Sequence, residues 1–367
     1  MIDLVFGLHL YQPPNQTLEI IKKITEESYL PVIDLILEHP RARFTVDIAR
    51  SAVENLEKQE SGSNFLKKLK MAVGLKKIYL VNTAAYHPIL PLLPKKEIIR
   101  QIQLNEEIYQ KTEGFFPPEM AFSPKLPPIL GELGYQWTIT ADTPFVCLHR
   151  QSPPFDWVPR QKDVAIFLRS NLWSSRIAFN HVSGNAFAKN LKHDLEKWFG
   201  GKQGYLIIWL DWETFGHHQK NFVQKFLIPF LDNLNNDINL CSPTELLSQY
   251  PKREIEVPCS SWSTNQQDFQ HKNYWPLWRH PGDEFHKLWW ELVKVVLEIK
   301  KEIQTEEQLS VFDKAVYSCQ TWQWSQGNKE LAIKGMSYFK EIAELKASKS
   351  VREKIHKIIQ KLESLCK

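Results

Sequence analysis

The feature that most constrains the fold is a repeated alternation of strand-like and helix-like patterns over about 250 residues. The stretches LVFGLHL at 4–10 and YLIIWL at 205–210 are almost continuously apolar, which is typical of parallel strands covered on both faces. Helical spacing separates such stretches, for example over 95–113. The alternation therefore predicts an α/β fold with a parallel sheet that is closed, or nearly closed, into a barrel.

Past about residue 276 the pattern changes, because helical spacing continues without further strand candidates. We therefore expect two parts, a catalytic barrel over residues 1–270 and a helical domain over residues 271–367 that packs on it.

Composition excludes several classes of protein. The chain is 43% hydrophobic and 24% charged, as in an ordinary globular protein. A net charge of +4 from 46 basic and 42 acidic residues is too small and too mixed to indicate a nucleic-acid partner. No apolar run approaches the roughly 18 residues of a membrane helix, and the first ten residues lack the order of a signal peptide. We expect a cytoplasmic protein with no membrane partner, and the sequence leaves its oligomeric state open.

Polar residues follow most of the predicted strands. In a barrel of β/α units the carboxyl ends of the strands form the active site, so these residues are expected to converge. They are His9 and Gln12, Asp47, His87, Glu119, Asp142, Arg169, and Asp211 with Glu213.

Two carboxylates stand out in this set. Glu119 lies between Pro118 and Pro124, so a stiff loop rather than a helix should display it, although a solvated surface glutamate is the alternative. Asp211 follows a fully apolar strand, where a helix-capping aspartate is the alternative. Two carboxylates at the same end of the predicted barrel favour chemistry on a glycosidic bond, with one as nucleophile and the other as proton donor.

A metal site is the competing interpretation, since His9, His87, Asp211, His217 and His218 could supply ligands to zinc. Such a site would indicate a metal-dependent carbohydrate deacetylase or mannosidase. Adjacent histidines rarely bind one ion, however, and no HxxxH or HExxH pattern occurs. We expect neither a metal nor another cofactor.

Six segments, in order along the chain, resemble glycoside hydrolase family 57, which includes α-amylases, 4-α-glucanotransferases and branching enzymes. They are LHLYQPP at 8–14, NTAAYHPILPLLP at 82–94, GFFPPEMAFS at 114–123, LDWETFGHH at 210–218, SSWST at 260–264 and SCQTWQWS at 318–325.

The resemblance implies an incomplete barrel of seven parallel strands followed by a helical domain. It implies that Glu119 is the nucleophile that forms a covalent glycosyl-enzyme and that Asp211 is the general acid/base. The residues expected to bind substrate are His9, Gln12, His87, Trp212, Glu213, Trp262 and Asp268.

Two positions depart from the family pattern. Tyr11 stands where many members have a second histidine, and Tyr79 stands where many have a glutamate. Both changes are expected to alter polar contacts in the donor sugar's pocket. The resemblance predicts a retaining, α-amylase-like hydrolase whose partner is an α-1,4-glucan or related oligosaccharide. The alternatives are a glucanotransferase or branching enzyme, and a catalytically weak member that binds glucan.

Overall fold

The computed structural model describes residues 1–109, 111–180, 182–234, 236–301, 303, 305–345 and 348–365. The described strands are β1 (Ile2–Leu10), β2 (Phe44–Ile48), β3 (Ile78–Val81), β4 (Gly114–Phe115), β5 (Trp137–Ala141), β6 (Val158–Gln161), β7 (Val164–Arg169), β8 (Gly204–Asp211), β9 (Ile238–Leu240) and β10 (Lys252–Glu254).

Helices alternate with these strands and then continue alone. Those up to β10 are α1 (Leu18–Ile24), α2 (Leu30–Glu38), α3 (Arg50–Leu56), α4 (Glu60–Gly74), α5 (Lys95–Glu106), α6 (Leu126–Glu132), α7 (Asp142–His149), α8 (Asn171–Phe179), α9 (Gly184–Phe199), α10 (Ile228–Asp232) and α11 (Pro243–Gln249). Those after β10 are α12 (Gln266–Gln270), α13 (Glu284–Lys300), α14 (Glu306–Ala315), α15 (Cys319–Ser325), α16 (Lys329–Lys334), α17 (Met336–Leu345) and α18 (Lys349–Leu365). Short π-helical turns span Thr25–Tyr29 and Val223–Leu227, and 3-10 turns span Leu90–Leu92, Pro118–Met120 and Trp212–Thr214.

The first sheet is parallel and centres on β1, in the order β3-β2-β1-β8, with the short β9 beside the start of β1. The register of the ladder aligns His9 with Asp47 on one side and with Asp211 on the other. Three polar residues therefore stand in one row at the carboxyl ends of β2, β1 and β8.

The second sheet has the order β10-β6-β7-β5-β4, in which β4, β5 and β7 run parallel and β6 is antiparallel to β7. It contacts both edges of the first sheet, next to β3 and next to β8. A bridge pairs Asn82 with Phe115, and the amide of Ser170 donates to the carbonyl of Ile207 at 2.8 Å. The predicted α/β class with parallel strands is confirmed.

Large apolar side chains fill the space between the two sheets, among them Trp209, Phe116 and Trp137. Close packing here depends on Gly7, since a Cβ at that position would lie 2.0 Å from the Trp209 ring. Gly7 thus lets a tryptophan occupy the centre of the fold beneath the row of polar residues.

Among the residues described after β10, the regular structure is helical throughout. The core of these helices is continuous with the second sheet, because Trp289 and Phe339 belong to the same buried cluster as Phe115. A part-buried ion pair also crosses this boundary, where Lys300 donates to Glu97 at 2.5 Å. The helices therefore pack directly on the strands. None of the helices in the described ranges is long and apolar enough to cross a membrane.

Candidate active site

The backbone of Glu119 has an unusual conformation. It lies in the 3-10 turn at Pro118–Met120 with φ 59° and ψ 17°, and Met120 follows with φ 48°. Residues other than glycine rarely adopt this left-handed region. Neighbouring segments hold the turn, since the Trp262 amide donates to the Glu119 carbonyl at 3.2 Å and the Thr140 hydroxyl donates to the Met120 carbonyl at 3.0 Å. Such strain persists only where the surrounding structure enforces it.

Both carboxylate oxygens of Glu119 accept hydrogen bonds. Trp262 Nε1 donates to Oε2 at 2.8 Å, and the Ser318 hydroxyl donates to Oε1 at 3.4 Å. Burial raises the pKa of Glu119 to about 7 against the lowering effect of the His9 charge, and the Asp211 charge adds to the rise. Glu119 is therefore a largely enclosed, oriented carboxyl group with some accessible surface, and not a solvated surface glutamate.

Asp211 lies at the end of β8, directly before the 3-10 turn at Trp212–Thr214, and its side chain makes no capping hydrogen bond. Its electrostatic influence extends across the site, because its charge raises the pKa values of His9, Glu119 and Glu213. The charge of Asp211 thus acts on Glu119. Asp211 is therefore not the helix-capping aspartate that the sequence allowed as an alternative.

Glu213 is enclosed beside Asp211. Its Oε1 accepts hydrogen bonds from Gln12 Nε2 at 2.7 Å and from the Tyr29 hydroxyl. Burial raises the pKa of Glu213 to about 7, and the charge of Asp211 contributes to this rise. Gln12 Nε2 also contacts the Tyr29 hydroxyl at 2.9 Å, so the predicted substrate residue Gln12 is engaged in holding Glu213.

His9 and His87 are bound to the protein through all four ring nitrogens. His9 Nδ1 lies 2.6 Å from Asp47 Oδ2, the Nε2 atoms of the two rings are 3.0 Å apart, and His87 Nδ1 lies 2.9 Å from Ser318 Oγ. The side chains of both histidines are nearly inaccessible. The sequence predicted that these two residues hold a sugar, but here no ring nitrogen is left to bind a hydroxyl group.

Trp262 forms a wall of the site beside Glu119. Its half-buried ring stands edge-on to His9, with 5.6 Å between ring centres, and the Arg169 guanidinium lies 5.7 Å from the ring centre. A partly accessible aromatic ring next to a reactive carboxyl can stack on the apolar face of a sugar.

Two of the predicted substrate-binding residues lie elsewhere. Trp212 is fully buried in the core, edge-on to Tyr29 and Phe65, so the prediction that it binds substrate is corrected: its ring has no accessible surface. Asp268 is the third residue of α12 and belongs to a capping box, in which its carboxylate accepts from the backbone amide of Asn265 at 3.2 Å.

Tyr79 is likewise corrected as a pocket residue. Its hydroxyl accepts from Arg43, whose guanidinium lies 4.8 Å from the tyrosine ring centre and also pairs with Glu245 at 2.9 Å. This arrangement engages the Tyr79 side chain with Arg43, in a cluster that also holds Glu245.

Tyr11, the other departure, does line the site. Its ring stacks on His87 with centres 3.8 Å apart, and its hydroxyl lies 3.4 Å from Cys319 Sγ. Tyr29 and Ser318 were missed, because neither follows a strand. Ser318 stands at the start of the 318–325 segment quoted above, which is the one signal that could have found it. We see no sequence signal for Tyr29.

Within the described ranges, no three His, Cys, Asp or Glu side chains form a group that could hold a metal ion. His217 is instead 2.6 Å from Glu27 Oε2.

Two carboxyl groups beside an aromatic wall, at the carboxyl ends of parallel strands, are the type of site that cleaves glycosidic bonds. The family model described as glycosyl hydrolase family 57 matches residues 6–258, and the chain belongs to this family.

Three similar proteins illustrate its relationships. An α-amylase of Pyrococcus horikoshii is 24% identical over 326 residues, which cover 85% of this chain and 48% of that protein. The structure of a 4-α-glucanotransferase from Thermococcus litoralis has a TM-score of 0.77 at 17% identity, covering 95% of this chain and 60% of the other. The structure of a branching enzyme from Pyrococcus horikoshii has a TM-score of 0.70 at 14% identity, covering 97% and 94%. The chain spans about half the length of that α-amylase.

Proposed function

We propose that this protein is a retaining, α-amylase-like glycoside hydrolase that acts on α-1,4-glucan or a related oligosaccharide by double displacement. The observation that carries the proposal is the combination of Glu119 with Asp211: Glu119 lies in the turn that follows β4, Asp211 ends β8, and the charge of Asp211 acts on Glu119. The family of the chain and the α-amylase name of a relative support the substrate class.

In the proposed reaction, a carboxylate oxygen of Glu119 attacks the anomeric carbon while the bond to the leaving oxygen breaks. Asp211 gives its proton to that oxygen. Asp211 then takes a proton from water, whose oxygen displaces Glu119 from the anomeric carbon. Trp262 provides the wall against which the reacting sugar packs.

Transfer to a sugar hydroxyl instead of water is the second candidate. It is favoured by the similarity in fold to a 4-α-glucanotransferase and a branching enzyme. Hydrolysis and transfer use the same two carboxyl groups, and they differ in which acceptor reaches the glycosyl-enzyme.

We further propose that the strands form an incomplete barrel of seven parallel strands, comprising β1, β2, β3, β4, β5, β7 and β8. The Asn82–Phe115 bridge and the Ser170–Ile207 hydrogen bond support this arrangement. The division into a barrel at 1–270 and a helical domain at 271–367 is supported by the absence of strands among the residues described after β10. A cytoplasmic location stays a prediction from the sequence.

The test is incubation with maltoheptaose beside Glu119→Gln and Asp211→Asn variants, with products separated by size and the first-formed anomer read by NMR. Shorter α-configured sugars from the unmodified protein alone would support retaining hydrolysis, and products above seven units would support transfer. First-formed β-anomers would contradict retention, and full activity in Glu119→Gln would contradict the mechanism.

Two outcomes would favour the remaining alternatives. Glucan binding without turnover would support a binding-only member. A stoichiometric metal whose removal by a chelator abolishes activity would support a deacetylase or mannosidase mechanism.

A further inference from the structure

The hydrogen bonds behind Glu119 connect into one line of side chains. We propose that Asp47, His9, His87 and Ser318 form a directional hydrogen-bonded chain that ends on Glu119, and that these four are positioning residues for the nucleophile. The proposal rests on the proposed function of Glu119, and it assigns His9 and His87 to this chain in place of sugar binding.

The donors and acceptors of this hydrogen-bonded chain run in one consistent direction. Asp47 accepts at both oxygens, from Trp209 Nε1 at 3.0 Å and from His9 Nδ1 at 2.6 Å. Burial alone would lower the pKa of His9, yet the charge and hydrogen bond of Asp47 outweigh this effect and raise the pKa to about 9. His9 is therefore protonated on both nitrogens at neutral pH, and its Nε2 donates to His87 Nε2 at 3.0 Å.

The protons of the next two groups are then determined. Burial, together with the charge of His9, lowers the pKa of His87 well below its usual value, so this ring carries one proton. Since His87 Nε2 accepts from His9, the proton lies on Nδ1 and is donated to Ser318 Oγ at 2.9 Å. The single hydroxyl proton of Ser318 is therefore free to point to Glu119. The distance from Ser318 Oγ to Glu119 Oε1 is 3.4 Å.

Ser318 is held in place by its backbone as well. Its amide donates to the His87 carbonyl at 3.1 Å, and the Thr321 hydroxyl donates to the Ser318 carbonyl at 3.1 Å. His87 itself has φ 58°, in the left-handed region that a histidine rarely adopts. The structure thus enforces an uncommon backbone conformation at the residue that links His9 to Ser318.

The ring faces of the two histidines are covered too. Phe116 stacks on His9 with centres 4.9 Å apart, and Tyr11 stacks on His87 at 3.8 Å. Ring nitrogens and ring faces are therefore both engaged within the protein. This enclosure suits groups that act through Glu119 and not groups that contact a sugar.

The chain gives Glu119 an orientation and a counter-charge. With Trp262 donating to the other oxygen, both carboxylate oxygens receive a donor, and the positive charge of His9 favours the ionised form. No proton moves along the chain in the reaction, because the proton for the leaving oxygen comes from Asp211. Ser318 belongs to the helical segment after β10, so that segment contributes directly to the nucleophile.

The experiment compares Ser318→Ala with Ser318→Thr, using Ser325→Ala as the matched control at the exposed end of the same helix. Kinetics on maltoheptaose and the rate at which a 5-fluoro-α-glucosyl fluoride labels Glu119, read by mass spectrometry, are measured for each. We expect Ser318→Ala to lower kcat and the labelling rate about 10- to 100-fold with KM nearly unchanged. Ser318→Thr should restore most of the rate, and Ser325→Ala should match the unmodified protein.

The protonation of His9 is an independent readout. Nitrogen-15 NMR of the imidazoles at pH 7 should show His9 protonated on both nitrogens in the full chain, and Asp47→Asn should remove one of these protons. Since the Asn side chain keeps an acceptor for Trp209, this variant should still fold.

A neutral His9 in the unmodified protein, or normal kcat and labelling in Ser318→Ala, would overturn the chain. If Glu119→Gln is inactive while Ser318→Ala is normal, the chain fails and the proposed function stands. If Glu119→Gln is fully active, the proposed function itself fails.

Discussion

The two carboxyl groups of the site are held in opposite ways. Glu119 sits on a left-handed turn that neighbouring segments pin, and both of its oxygens accept hydrogen bonds. Asp211 ends a regular parallel strand, and within the described ranges no hydrogen bond ends on its carboxylate. One group is fixed in position by hydrogen-bond donors, whereas the other is positioned by its strand and interacts with the charges of Arg169 and His218.

This difference suits two different tasks. A nucleophile has to meet one carbon atom along one direction, so it benefits from a rigid, hydrogen-bonded carboxylate. An acid/base group must gain and release a proton, so a carboxylate without protein donors is free to exchange it with the leaving group or with water. The following predictions test whether the contrast between Glu119 and Asp211 has this meaning.

The largest effect should come from a substrate that needs no acid. On α-glucosyl fluoride, fluoride leaves without a proton, so Asp211→Asn should still form the glycosyl-enzyme at a rate near that of the unmodified protein. Glu119→Gln should lose at least about 10⁴-fold in rate. Fluoride release in single-turnover experiments measures the difference. Equal losses of rate in Asp211→Asn and Glu119→Gln would contradict the proposed difference between the two carboxyl groups.

The second prediction concerns pH. Glu119 attacks only when ionised, and its pKa is raised to about 7. We therefore expect kcat/KM to fall as the pH drops below 7, by about tenfold for each pH unit. Burial raises the pKa of Glu213 to a similar value, so Glu213→Gln serves as the control. The acid limb should persist in that variant, and its disappearance would assign the limb to Glu213.

Removing one donor from the fixed carboxylate should have a smaller effect. Trp262→Phe keeps an aromatic wall but deletes the hydrogen bond to Oε2, and we expect kcat to fall about 10- to 100-fold. KM for maltoheptaose should change little, because the ring is retained. A large rise in KM with normal kcat would instead make Trp262 a pure sugar-binding residue.

Stability should reveal the cost of burying the Glu119 charge. Its pKa rises from 4.5 to about 7 on folding, so this group's contribution to stability is fully present below pH 4.5 and is lost as the pH rises through 7. Glu119→Gln should raise the free energy of unfolding at pH 8 by about 3 kcal/mol, with most of the gain gone by pH 5. Urea unfolding at pH 8 and at pH 5 measures this change in the free energy of unfolding. The exposed Glu291→Gln is the control, and an equal gain at both pH values would contradict the assignment.

The smallest effect is expected outside the cluster. Asp268→Ala removes the capping interaction at the start of α12, which should cost about 1 kcal/mol of unfolding free energy. We expect kcat and KM on maltoheptaose to stay unchanged. A marked rise in KM would return Asp268 to the substrate-binding set.

The sequence by itself determined the class of the fold and predicted the two carboxyl groups, for physical reasons that are local. The continuously apolar stretch before Asp211 and the prolines around Glu119 shape their own segments. Because carboxyl ends of parallel strands meet at one edge, residues after strands could be grouped without coordinates. His9, Asp47 and Asp211 do stand in one row of the sheet.

Only the tertiary structure decided which way each side chain points and what it contacts. Trp212 directly follows Asp211 but lies in a 3-10 turn, where its ring packs in the core against Tyr29 and Phe65. Ser318 is 199 residues from Glu119 and reaches it because the helices after β10 pack on the strands. Periodicity reports burial along one segment, whereas hydrogen bonds between distant segments depend on how those segments pack, and packing is a property of the whole chain.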